Sequence, residues 1–91
     1  MSFVNMRCSM ETVNNELKRV GFSQPEIQVY IEVLKEFPIT GYELSERSEI
    51  PRTMIYEVIA NLLKKEAVYT ATLVPLTYVP LPAEELINRL R

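Results

Sequence analysis

Apolar positions recur at helical spacing in five stretches of this chain and give way to β-branched and aromatic residues in two others. Over residues 11–20, Val13, Leu17 and Val20 fall on one side, Lys18 and Arg19 sit in the last turn, and Gly21 follows where a helix end needs positive φ. Ser23-Gln24-Pro25-Glu26 then reads as a capping box with proline in the first turn. Ile27, Tyr30, Ile31 and Leu34 follow at the i, i+3, i+4, i+7 spacing of one buried face. Val29 and Val33 widen that face, so the second helix is expected to be the most buried, with Pro38 ending it. Thr40-Gly41-Tyr42-Glu43 is a second capping box and opens a short helix to about Arg47. Ser48, Glu49 and Ile50 break the pattern, and Pro51 begins an uninterrupted helix to about Glu66.

Two helices joined by so short a turn form a helix-turn-helix. Beyond it, residues 68–73 and 76–79 read as the strands of a β-hairpin turning at Val74-Pro75, and Ile39 can add a minimal third strand. Pro82-Ala83-Glu84-Glu85 opens a closing helix with Leu86, Ile87 and Leu90 on one side. Its acids lie in the first turn and Arg89 and Arg91 in the last, as the helix dipole favours. The expected fold is mostly α with a small β-hairpin, a winged helix-turn-helix with an extra helix at each end. Residues 1–10 show none of this patterning and are expected to be a flexible lead-in to one domain over residues 11–91.

Composition narrows the chemistry. A chain of 91 residues supports one small core. It contains no His and no Asp, and all twelve acids are Glu. A Ser-His-Asp arrangement is therefore excluded, as are the usual zinc and two-His iron ligand sets. The single cysteine, Cys8, cannot form an internal disulfide, which points to a reducing cytosol. Apolar runs reach at most four residues, against roughly 20 for a membrane span. No catalytic or metal site and no cofactor is expected, and the protein reads as cytoplasmic, not membrane-bound and not an enzyme.

The second helix of a helix-turn-helix enters the major groove with its N-terminal residues nearest the base edges. Here those residues are Arg52, Thr53, Tyr56 and Glu57, while Ile55, Val58, Ile59 and Leu62 gather on the core side. Arg can donate two bonds to guanine, Thr can touch a thymine methyl or a phosphate, and Glu can accept from cytosine. Thr40, Ser45 and Ser48 are candidate phosphate contacts, as are the amides that start each helix; Lys64 and Lys65 suit the DNA backbone. Each has a plainer alternative. Arg52 can pair with Glu49, Tyr56 can be half-buried packing, and the two lysines can complement the helix dipole.

Residues 21–30, then Ile39-Thr40-Gly41-Tyr42-Glu43-Leu44, then Ile50-Pro51-Arg52-Thr53 with Ile55-Tyr56-Glu57-Val58, resemble the N-terminal domain of TrmB-type transcriptional regulators. The resemblance covers residues 17–90, including the run from Val79 to Leu86 that looks like the family's exit from the wing. It implies a winged-helix DNA-binding domain, with Arg52, Thr53 and Tyr56 on or beside the recognition surface and a closing helix leading toward dimer contacts. Members often continue into a coiled coil and an effector-binding domain. The resemblance thus leaves open a C-terminal effector domain or protein partner missing here, or a stand-alone short member.

The expected function is a sequence-specific, nucleoid-associated regulator that occupies promoter double-stranded DNA as a homodimer. The dimer surface is expected to combine Val13 and Leu17 with Leu86, Ile87 and Leu90, or the same short stripes fold back equally well on the chain's own core. An alternative is a winged-helix protein-interaction or oligomerisation module without direct DNA binding. Two features favour it. The wing tip Leu73-Val74-Pro75-Leu76 carries no charge, whereas family wings usually carry basic tips, and residues 41–66 hold four bases against five acids. Phosphate neutralisation supplies much of DNA affinity, so a near-neutral reading unit binds weakly as a single copy.

Overall fold

Both capping boxes form in the computed structural model, which describes residues 10–90. The helices are α1 (Met10–Arg19), α2 (Gln24–Lys35), α3 (Gly41–Ser48), α4 (Arg52–Lys64) and α5 (Ala83–Arg89); the strands are β1 (Ile39–Thr40), β2 (Val68–Leu73) and β3 (Leu76–Pro80). At α2, the Glu26 amide donates to Ser23 Oγ (3.3 Å) and the Ser23 amide to Glu26 Oε1 (3.0 Å). At α3, the Glu43 amide donates to Thr40 Oγ1 (3.1 Å) and the Thr40 amide to Glu43 Oε1 (3.2 Å). Met10 already belongs to α1; the rest of the expected lead-in lies outside the described residues, as does Cys8.

The strands form an antiparallel sheet of order β1-β3-β2, with Ile39 opposite Tyr78 and Thr40 opposite Thr77. A register shift between Thr70 and Thr72 interrupts the hairpin, and such a bulge sharpens the local twist. The arrangement is a winged helix: three helices, a small sheet, and one further helix at each end. Among the described residues, no helix is long and apolar enough to cross a membrane.

Helix α2 lies at the centre and packs against α1, α3, α4 and β3. Its buried face differs from the expected stripe. Ile27, Val29, Tyr30 and Val33 are fully buried, whereas Ile31 and Leu34 are half-buried at the margin of the core. Neighbours on several sides, rather than one, draw the buried arc toward Val29 and Val33. Tyr30 carries the one hydroxyl in this apolar set, and it donates to the Leu81 carbonyl at 2.5 Å. The Leu81 amide donates in turn to the Ala67 carbonyl at 2.9 Å, so both backbone polar groups of Leu81 are paired where the chain leaves the wing for α5.

The apolar stripes of α1 and α5 meet within one chain. Val13, Leu17, Leu86 and Ile87 are buried in its core and Leu90 packs against it. Of the two expected uses of these residues, a dimer surface or folding back on the chain's own core, the structure takes the second, because each stripe has its partner in the same molecule.

Helix ends are closed by left-handed residues. Gly21 (φ 104°) ends α1, with the Phe22 amide donating to the Leu17 carbonyl at 3.0 Å. Glu66 (φ 60°) ends α4 in the same manner, the Ala67 amide donating to the Leu62 carbonyl at 2.9 Å. Glu49 (φ 61°, ψ 24°) occupies the same region in the turn between α3 and α4. Nothing but Gly adopts this conformation without steric cost. Exchange Glu49→Gly is expected to stabilise the fold by about 0.5–1 kcal/mol, the relief of strain exceeding the added entropy of the unfolded chain; urea titration of both proteins measures it.

One ion pair crosses the core margin. Lys65 at the end of α4 donates to Glu26 Oε1 at 2.6 Å, and its ammonium lies 4.3 Å from the Phe22 ring centroid. Burial alone would raise the Glu26 carboxyl. The Lys65 hydrogen bond, the Ser23 amide, the Lys65 charge and the Asn61 side chain together outweigh it and hold the carboxyl below its ordinary value. A lowered folded-state value means a stabilising contribution that is complete above the ordinary carboxylate range and disappears as pH falls through the lowered value. Glu26→Gln should therefore cost about 1–2 kcal/mol near neutrality and lose that deficit in acid. Denaturation of both proteins between pH 7 and pH 3 tests this; a constant difference across that range would contradict it.

Candidate nucleic-acid interface

The turn before α4 is built from serines. Ser45 is buried and its hydroxyl donates to the Ile50 carbonyl at 2.6 Å. The Ser48 hydroxyl donates to the Leu44 carbonyl at 2.6 Å and accepts from the Ile50 amide at 3.3 Å. Thr40 is engaged with Glu43 through its backbone amide and hydroxyl. These three candidate phosphate contacts therefore hold α3 and α4 in place. Burial removes Ser45 from any outward-facing set.

Helix α4 presents Arg52, Thr53, Tyr56, Glu57 and Lys64 to solvent and buries Ile55, Val58, Ile59 and Leu62, the division that the wheel predicts. Its start differs from those of α2 and α3. Pro51 provides no side-chain cap and the first turn holds no acid, so the helix dipole is uncompensated there and amides of the first turn remain for an external acceptor.

Aromatic residues surround this start. Tyr56 is 51% exposed, yet its ring lies directly on Gly41: a Cβ at position 41 would come within 2.5 Å of the ring. Gly41 thus provides the floor of a slot that only a residue without a side chain leaves open. Tyr78, opposite Ile39 in the sheet, has its phenol pushed up, first by burial and then by the charge of nearby Tyr56. Tyr42, next along α3 and 44% exposed, lies beneath Arg52, whose guanidinium carbon is 4.2 Å from the ring centroid. Arg52 therefore rests on Tyr42 rather than pairing with Glu49.

Two of the other three bases of the unit are committed. Arg47 pairs with Glu36 at 2.6 Å, and the hydrogen bond to that carboxylate raises the guanidinium further. Lys65 is held by Glu26. Among the described residues Arg52 and Lys64 make no ion pair. The wing tip is bare and apolar, with Leu73 76% and Val74 94% exposed. No cluster of His, Cys, Asp or Glu suited to a metal ion exists among the described residues.

Comparison with known proteins decides the family. The model of the sugar-specific transcriptional regulator TrmB matches residues 17–84, three quarters of the chain. The chain belongs to the TrmB family. Similar proteins include the uncharacterized protein YrhO of Bacillus subtilis, 37% identical over 81 residues, which covers 89% of this chain and 30% of that protein. The HTH-type sugar sensing transcriptional regulator TrmBL1 of Pyrococcus furiosus is 28% identical over 81 residues, covering 89% of this chain and 24% of that regulator. The chain spans less than a third of the length of these curated relatives. The TrmB family is one of transcriptional regulators.

Two residues of this TrmB-family surface escape a reading by helix wheel, Tyr42 and Gly41. Both lie on α3, and a wheel of α4 says nothing about what a neighbouring helix places under it. The signal that would have found them is the capping box itself, which fixes where α3 starts and so puts residues 41 and 42 in its first turn. Replacing Gly41 by Ala should swing the Tyr56 ring out of its slot, because the clash is with the far end of a side chain that can rotate. Stability should change by no more than about 1 kcal/mol, while the ring-proton resonances of Tyr56 move. Unchanged resonances in Gly41→Ala would show that the slot does not position the ring.

Proposed function

We propose that this chain binds duplex DNA sequence-specifically, as the reading module of a transcriptional regulator that occupies promoter DNA at the nucleoid. In this reading α4 lies in the major groove. Arg52, Thr53, Tyr56 and Glu57 face the bases, and Lys64 and the first-turn amides of α4 face phosphates. The observation that carries the reading is the start of α4, exposed, uncapped and free of acids, with Arg52 unpaired beside it. Such an end suits a major-groove helix, since phosphates and the guanine edge present acceptors. Family membership supports the same reading.

With Arg47 and Lys65 committed internally, one copy has few cations to release counterions from DNA. We therefore propose a homodimer on a two-fold site, which doubles the contacts. Its surface lies elsewhere than on the buried faces of α1 and α5. Any response to an effector, including the sugar sensing in the name of TrmBL1, is assigned to a region or partner other than this domain, which matches 24% of that regulator.

A second reading draws support from the exposed, uncharged wing tip: a winged helix used for protein contact alone. Salt separates the two, because DNA binding weakens steeply as salt rises and an apolar contact changes little. The deciding experiment is selection of the protein from a randomised duplex pool at two salt concentrations, with Arg52→Ala alongside. Enrichment of a roughly palindromic site is expected, weakened by salt and about 10- to 100-fold weaker in the variant. No enrichment at low salt would overturn the proposal in favour of the protein-contact module.

A further inference from the structure

We infer that Tyr42 is a positioning residue for base recognition, holding the Arg52 guanidinium over its ring so that Arg52 reads a guanine. This rests on the DNA-binding reading above and adds to it a residue from outside the recognition helix and the identity of one base.

The geometry is specific. Arg52 is the first residue of α4, where a long side chain is restrained by few neighbours, and it is exposed. Its guanidinium carbon nevertheless lies 4.2 Å from the centre of the Tyr42 ring. Carboxylates are close by in sequence at Glu49 and Glu57, but among the described residues the guanidinium makes no ion pair or hydrogen bond. The two kinds of contact differ in what they leave available. An Arg bound to a carboxylate has its N–H fork occupied, and reading a base first requires breaking that pair. An Arg over an aromatic ring is held by the quadrupole of the π face, with the donors of its planar fork still to be satisfied. Guanine offers N7 and O6 as a matching acceptor pair in the major groove, and Arg is its commonest partner. Tyr42 in turn is fixed by the capping box of Thr40 and Glu43 that flanks it. Pre-setting the side chain removes part of the rotamer entropy otherwise lost on binding.

The test compares wild type, Tyr42→Leu, Tyr42→Phe, Arg52→Ala and the Tyr42→Leu/Arg52→Ala double variant on the duplex that wild type enriches. A panel of duplexes carries each of the other three bases in turn at the guanine most sensitive to Arg52→Ala. Tyr42→Leu should lower the preference for that guanine about three- to tenfold. Its effect on binding to non-cognate duplex and on the salt dependence should be small. Tyr42→Phe, which keeps the ring face, should retain the preference within about twofold. In the Arg52→Ala background Tyr42→Leu should have no further effect. In the free protein, the Arg52 δ-methylene protons should lose their ring-current shift in Tyr42→Leu and keep it in Tyr42→Phe, with melting temperatures close to wild type.

An unchanged guanine preference in Tyr42→Leu would overturn the inference, as would an equal loss on every sequence or an equal effect with and without Arg52. Failure of the DNA reading itself is distinguishable, because wild type would then enrich no duplex at all. The ring-current comparison still reports whether Tyr42 holds Arg52.

Discussion

One fully buried hydroxyl organises this molecule. Tyr30 sits in the middle of the central helix with no exposed surface, beside the apolar side chains of Ile27, Val29 and Val33. A buried polar group without a partner costs a sizeable part of the stability of a small domain. The partner is the Leu81 carbonyl, 51 residues away in sequence, and the Leu81 amide is bonded to Ala67 at the base of the wing. Leu81 therefore ties the return of the hairpin to the central helix just before α5, the helix that buries Leu86 and Ile87. Glu26 and Lys65 make a second tie between α2 and the end of α4, so the helix proposed to read DNA is held at its far end by the same central helix.

Charge is used sparingly in this scaffold. Of the bases around the helix-turn-helix, Arg47 and Lys65 are internal fasteners, each on a carboxylate of α2 or of the segment just after it. What is left for an external partner is local: the first turn of α4, Arg52 resting on Tyr42, Tyr56 seated on Gly41, and Lys64. Sequence-wide net charge describes such a surface poorly, because it counts paired and unpaired ions alike. In the proposed reading, such a domain relies on recognition more than on bulk electrostatic attraction.

The serines of the turn show how a single residue type divides between roles. A hydroxyl near a helix start can meet a phosphate or a backbone carbonyl, and composition does not separate the two. In the folded chain Ser45 and Ser48 satisfy main-chain groups of Leu44 and Ile50, and Thr40 caps α3. Their contribution to the proposed nucleic-acid surface is then the position they give to α4.

Local rules were enough to specify much of this protein from its amino acids. Capping boxes at Ser23 and Thr40, Gly21 after α1, Pro51 before α4 and the β-branched runs of the wing act over three to six residues. Hydrogen bonds of that range are set by neighbours in sequence. The outward face of α4 was likewise legible, since a helix with one apolar side must turn it to the core. Tertiary structure alone decided the rest: that Val29 and Val33 outrank Ile31 and Leu34, that α1 and α5 cover each other, that Ser45 is buried, and that Tyr42 lies beneath Arg52. Each of these depends on which distant segment fills the space beside a residue, and periodicity along one helix contains no information about its neighbour.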